Sequence, residues 1–300
     1  MSAILRTFPM KSVPSAARSI VTVIVALATA HVAAQQSLFQ SRTDTVSIYA
    51  TVNDRSGRLA PSLTAADFRI LDNGKPAEIT VFSSEIQTIT TTLMLDMSGS
   101  MVPRLLWTRD AAEHLIDELK GADRARIGTF GSEVAISPHL TADKLLLKRV
   151  LRDEIWPGGG TPLWVALDAA MASMKGEQGR RIVLVVTDGN DSTSRDIDRG
   201  DVRKRALREE FMIYAVAING HELNSDLSDV ATETGGGYVI VDDRDDLKKT
   251  LSDVVNDLRH QYLLGFSPSV LDGKTHKLKV EVTKPGLTAR GPTAYLAAAK

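Results

Sequence analysis

Three short stretches of this sequence gather hard oxygen donors. "LMLDMSGSM" ends an apolar run at Asp96 and follows it with Ser98 and Ser100, separated by Gly99. "WPGGGTPLW" sets Gly158, Gly159 and Gly160 before Thr161, and "VVTDGND" ends another apolar run at Asp188. Asp96, Ser98, Ser100, Thr161 and Asp188 together supply two carboxylates and three hydroxyls, with no imidazole among them, and the chain has no cysteine. Such a set suits Mg²⁺, with Mn²⁺ or Ca²⁺ as alternatives, rather than zinc or copper. Serines at alternate positions can point to one side of an extended turn, and the glycines let a loop approach without Cβ clashes. Mg²⁺ keeps several waters and takes few carboxylates directly, so five protein oxygens exceed its first shell. If one or both aspartates act through water, the ion stays electron-poor and keeps an open position. A carboxylate from another molecule is the natural occupant.

Each piece has a plainer reading when taken alone. Ser100 could cap the helix that follows it, and Thr161-Pro162 is a good N-cap followed by a proline at the first helical position. Asp188-Gly189 is a common turn. Asp191 and Ser192 read as a solvated loop, Trp164 as helix packing, and Trp156 as either a contact rim or a buried ring. All three occurring in one chain, in this order and with only oxygen donors among them, is what favours a shared metal site over three separate turns.

The elements that must position them alternate. Apolar strands are expected near 89–95, 126–130, 134–137, 182–187, 212–218 and 237–241. Helices are expected near 104–120, 142–152, 162–174, 201–210, 223–234 and 245–260, with Leu247, Leu251, Val254, Val255 and Leu258 keeping a 3–4 spacing. Strands such as "RIVLVVTDG" are continuously apolar, as in a parallel sheet covered on both faces. The expected fold is therefore α/β, a doubly wound, mostly parallel six-stranded Rossmann-like sheet. In such sheets ligands bind beyond the carboxyl ends of the strands, where all three stretches fall.

Asp-x-Ser-x-Ser after the first apolar strand, a Gly-rich loop with Thr, and Thr-Asp-Gly after the fourth strand resemble the von Willebrand factor type A (VWFA) domain with its metal-ion-dependent adhesion site. The resemblance spans roughly 88–258 and has all five motif positions. It implies that Ser98, Ser100 and Thr161 are direct or switchable ligands and that Asp96 and Asp188 act directly or through water. The flanks, "LTAADFRILDNGKPAEIT" and "YLLGFSPSVLDGKTHKLKVEV", are similar to those of a bacterial group of exported VWFA-related proteins. The end, "ARGPTAYL", departs from that group and leaves the register of the last strand open.

The flanks read as β. Val46, Ile48 and Ala50 alternate with polar neighbours, Asn73-Gly74 signals a hairpin with a third strand near 79–82, and Leu278, Val280 and Val282 alternate again. Neither flank has enough strands to stand alone. They are expected to pair into a small β-sandwich with the α/β part inserted. The expected organisation is 1–34 signal peptide, 35–87 and 259–300 sandwich halves, and 88–258 VWFA domain.

Residues 1–34 carry three basic residues, the uncharged run "IVTVIVALATA" and small residues Val32 and Ala34 at the exit, as in a secretory signal. The run is too short for an ordinary membrane span of about 20 residues. The expected location is secreted or periplasmic, with membrane attachment only through an uncleaved signal anchor. A formal net charge of −1 gives no basic surplus for nucleic acid.

Enzyme readings lack their parts. A haloacid-dehalogenase-type phosphatase needs a second Asp two residues after the first, and Ser98 stands there. There is no nucleophile elbow, Walker motif or zinc-protease motif, and His114, His139, His221, His260 and His276 all lie away from the three stretches in sequence. The expectation is a non-enzymatic, metal-dependent protein-binding module of the adhesion type, whose partner offers a Glu or Asp carboxylate. The alternative is an envelope scaffold or assembly factor with a purely structural metal.

Overall fold

The structure, a computed structural model, describes residues 45–153, 158–218 and 224–299. The expected signal segment, Trp156 and His221 lie outside them. Four strands come first: β1 (Val46–Asp54), β2 (Phe68–Asp72), β3 (Lys75–Ala77) and β4 (Val81–Ser83). The α/β part then runs β5 (Thr90–Asp96), α1 (Leu105–Glu118), β6 (Arg124–Phe130), β7 (Val134–Ile136), α2 (Lys144–Asp153), α3 (Leu163–Ser173), β8 (Arg181–Thr187), α4 (Arg199–Arg208), β9 (Phe211–Ile218), α5 (Ser225–Glu233), β10 (Tyr238–Val241) and α6 (Arg244–Arg259). Four strands close the chain: β11 (Tyr262–Phe266), β12 (Thr275–Val282), β13 (Leu287–Arg290) and β14 (Ala294–Leu296).

The α/β sheet has six strands in the order β10-β9-β8-β5-β6-β7, all parallel except the edge strand β7. Continuous apolar runs supply both of its faces. In β8, Ile182, Leu184 and Val186 join one core with α1, α2 and α6. Val183 and Val185 point the other way, into a second core with α3, α4 and α5. This is the doubly wound arrangement, and each helix buries a single apolar stripe. Acidic or amide caps start three of the helices: Asp198 accepts from the Asp201 amide, Asn224 from Leu227 and Asp243 from Asp246.

The flanks interleave. One four-stranded sheet runs β13-β1-β11-β4 and another β14-β12-β2-β3. Ile48, Val52, Phe68, Ile70, Tyr262, Leu264, Phe266, Leu278 and Tyr295 fill one core between them. Strands from both ends of the sequence are thus needed to bury either sheet, with the α/β part inserted between β4 and β11. Asn73 and Gly74 both hold positive φ, +48° and +81°, which a tight hairpin turn requires. The hairpin partner is β3, with Asp72 opposite Lys75, rather than a strand at 79–82. β4 belongs instead to the other sheet, paired with β11. The departure "ARGPTAYL" also has a cause. β13 pairs with β1 in one sheet and β14 with β12 in the other, so Gly291-Pro292-Thr293 is the corner where the chain changes sheet. Proline has no amide to donate to a ladder and suits a corner.

The sandwich docks at the amino ends of the α/β strands. Arg180, just before β8, is 6% exposed. Its guanidinium donates to the Leu258 carbonyl, to Gln261 Oε1 at 2.6 Å and to the Thr88 carbonyl at 3.3 Å, and lies 5.2 Å from the Tyr49 ring of β1. A second arginine, Arg290 of β13, donates to Asp257 Oδ2 of α6 at 2.7 Å and lies 5.4 Å from the Tyr214 ring. Burial pushes the Asp257 carboxyl up, and Arg290 pulls it back. A carboxyl raised in the fold favours the protonated state, so its contribution to stability declines as pH rises from the ordinary carboxylate value through the raised one. Without Arg290 that decline steepens. Arg290→Met should therefore cost about 1–2 kcal/mol at pH 7 and much less near pH 4, measured by urea unfolding at the two pH values.

Candidate metal centre

β5 and β8 are neighbours, and their carboxyl ends carry Asp96 and, one residue beyond β8, Asp188. The sheet brings together two carboxylates far apart in the chain. Asp96 is fully buried, at 0% exposure. Its Oδ1 accepts from the Ser98 amide at 2.8 Å and its Oδ2 from the Thr187 hydroxyl at 2.6 Å. Burial pushes the Asp96 carboxyl up; hydrogen bonds from Ser98 and Thr187 oppose the shift, and the neighbouring Asp188 charge adds to it.

After Asp96 the chain turns into a 3₁₀ helix, Gly99–Arg104, anchored by the buried Met101. Neither serine side chain makes a helix-cap hydrogen bond. Ser98 and Ser100 hydroxyl oxygens lie 3.2 Å apart, and Ser100 Oγ donates to Asp188 Oδ1 at 2.9 Å. The other oxygen of Asp188 accepts from Arg104 Nη1 at 3.0 Å, and the same nitrogen donates to the Ser100 carbonyl at 3.1 Å. Ser98 is buried and Ser100 exposed, so the cluster runs from the closed Asp96 to an open mouth.

The glycine loop is tied to this turn through its backbone. The Gly158 amide donates to the Met97 carbonyl at 2.8 Å, and the Gly99 amide to the Gly159 carbonyl at 3.1 Å. Gly159 holds φ +83°, and a Cβ there would stand 2.4 Å from the Ser132 amide nitrogen, so the close approach requires glycine. Thr161 follows, 7% exposed. Its hydroxyl makes no hydrogen bond among the described residues and does not cap α3. That cap comes from the 191–194 loop. Asp191 Oδ1 accepts from the Trp164 amide at 3.2 Å, Ser194 Oγ from Val165 at 3.3 Å, and Ser192 Oγ from the Thr161 amide at 2.9 Å. Asp191 and Ser192 therefore clamp Thr161 and the start of α3 rather than forming only a solvated loop. Trp164 is packed in the core, as expected.

The donor chemistry fits a hard divalent ion. Octahedral ligands about 2.1 Å from Mg²⁺ lie about 3 Å from one another along each edge. The Ser98–Ser100 and Ser100–Asp188 oxygen separations, 3.2 and 2.9 Å, match such edges. Because Ser100 gives its proton to Asp188, it accepts from Ser98 and keeps one further lone pair for a cation. Thr187 and Arg104 were not among the residues the sequence singled out. Thr187 stands inside the quoted "VVTDG", but nothing local shows that it faces Asp96. Of the histidines, His114 bonds Ser252, His260 the Asn256 carbonyl, and His276 both Asp72 and Asp272.

The sheet order and its covering helices define the fold class. Residues 91–190 match the family described as the von Willebrand factor type A domain. No curated protein sequence matches it. Among solved structures, it is similar to a von Willebrand factor type A protein from Catenulispora acidiphila, 13% identical, over 86% of this chain and 75% of that one, with a TM-score of 0.52. It is also similar to proximal thread matrix protein 1 from the mussel byssus with a zinc-occupied MIDAS motif: 17% identity, 62% of this chain, 49% of that one, TM-score 0.51. A weaker likeness, TM-score 0.46 at 20% identity over 56% of this chain and 98% of that one, is to an aerotolerance-related membrane protein from Bacteroides fragilis. No helix among the described residues is long and apolar enough to cross a membrane.

Proposed function

We propose that this protein is an exported, non-enzymatic binding module that captures an acidic side chain of a protein partner at a Mg²⁺ site formed by Asp96, Ser98, Ser100, Thr161 and Asp188. The observation that carries this reading is the hydrogen-bonded oxygen cluster at the carboxyl end of the sheet, with cation-compatible spacings and an open mouth. When bound, the ion supplies a coordination position for an anionic oxygen. Asp96 and Asp188 supply the negative charge and orient the serines, and the unengaged Thr161 hydroxyl remains a donor atom for the ion. The all-oxygen set favours Mg²⁺ over the zinc found in the mussel protein. A protein rather than a free anion is favoured by the apolar rim: Val102, in the same 3₁₀ helix, is 51% exposed and Leu106, at the start of α1, 71%. Export rests on the signal-like text of residues 1–34.

The test is capture from an extract of the source organism in Mg²⁺ and in EDTA, using wild type and Thr161→Ala. Because the Thr161 hydroxyl makes no hydrogen bond among the described residues, Thr161→Ala should abolish Mg²⁺-dependent capture while changing the metal-free Tm by no more than about 2 °C. Unaltered capture with a large stability loss would instead favour a scaffold whose metal is structural.

A further inference from the structure

We propose that Arg104 is a built-in counter-cation of this site, holding part of the Asp188 charge and thereby setting how tightly a divalent ion binds. The inference rests on the metal-site reading above. Arg104 is not one of the five motif oxygens; it stands four residues after Ser100, at the end of the 3₁₀ helix. Pro103 restricts the backbone immediately before it, and the buried Met101 anchors the turn. That geometry sends the guanidinium back over its own turn to the Ser100 carbonyl at 3.1 Å and across to Asp188 Oδ2 at 3.0 Å. The Asp188 side chain is 6% exposed and that of Arg104 22%, so water screens the pair only in part.

Both oxygens of Asp188 are thus engaged, one by the Ser100 hydroxyl and one by Arg104. A divalent ion arriving at Ser100 and Asp188 meets a carboxylate already paired with a cation. Two carboxylates and one guanidinium leave the site a single net negative charge, where the five oxygens alone would offer two. A double positive charge beside a fixed guanidinium is held less tightly than beside a neutral group of the same shape.

Calorimetric titration of MgCl₂ into the full chain, its R104Q and R104K variants and D188N tests this. R104Q should bind Mg²⁺ about tenfold more tightly than wild type, equivalent to about 1.4 kcal/mol, while R104K, which keeps the charge, stays within about threefold. D188N should bind much more weakly than any of them. Equal or weaker binding by R104Q, with D188N still impaired, would overturn the role of Arg104 and leave the metal site standing. Absence of Mg²⁺ binding in both wild type and R104Q would overturn the metal site and this inference together.

Discussion

Mg²⁺ at about a hundred times its Kd should raise the Tm of the wild-type chain by about 5–10 °C, and Asp96→Asn should abolish that rise. The magnitude follows from linkage: a ligand that binds only the folded state adds about 2.7 kcal/mol at that excess, and each kcal/mol moves the Tm of a chain this large by about 2–4 °C. Asparagine is the informative replacement because it keeps the shape. Its carbonyl oxygen can still accept from the Ser98 amide, and its amide can donate to Thr187 Oγ1, whose hydroxyl can turn to the Gly189 carbonyl 3.4 Å away. Only the charge is removed. In EDTA the variant should be at least as stable as wild type at pH 7. Burial and the Asp188 charge push the Asp96 carboxyl up, so the fold favours its protonated form and the ionised form costs stability as pH rises past that value. Loss of the Mg²⁺ response together with undiminished metal-free stability is the signature of a residue kept for binding rather than folding. Scanning calorimetry in Mg²⁺ and in EDTA reads both. A Mg²⁺ response surviving in Asp96→Asn would remove Asp96 from the metal site.

Arg180→Ala should be among the most destabilising single changes, about 3 kcal/mol or more, lowering the Tm by about 6–12 °C. The side chain is nearly buried, and its loss strands three acceptors: the Thr88 and Leu258 carbonyls and Gln261 Oε1. Gln261 also donates to Thr51 Oγ1 of β1, so the loss reaches the sandwich. Desolvation lowers the guanidinium pKa to about 10, which leaves it charged at neutral pH and dependent on those acceptors. Arg180→Lys should recover little, because one ammonium cannot span three acceptors in different directions. Arg180 precedes β8 and Asp188 follows it, so the seven residues of that strand, about 23 Å of extended chain, separate junction from site. Mg²⁺ affinity below the melting range should be unchanged, and a weakened affinity would show that the junction and the site are coupled.

The legible parts of this chain were those encoded by neighbours. The run 182–186 has no polar interruption, as expected of a strand inside a covered parallel sheet. Asn73-Gly74 specified its turn because few other pairs tolerate two positive φ values. Asp96, Ser98 and Ser100 could be recognised because three chemistry-bearing residues stand within five positions, and the sheet rule then pointed to Thr161 and Asp188. The partner strand of the hairpin was misplaced because β3 has only three residues, one of them Pro76, and carries no alternating pattern.

By itself the sequence determined the α/β class, the flanking β segments and the oxygen donors, because periodicity and short motifs are local properties of a chain. Only the tertiary structure decided which side chains face one another. Thr187 meets Asp96 across 91 positions and Arg104 meets Asp188 across 84. Asp191 and Ser192 became the clamp on Thr161 because the loop after β8 lies over the start of α3, and the chain crosses between sheets at Pro292 because β13 and β14 found partners in different layers. Such pairings depend on the register of strands and the angle of loops, which many sequences with the same local pattern could set differently.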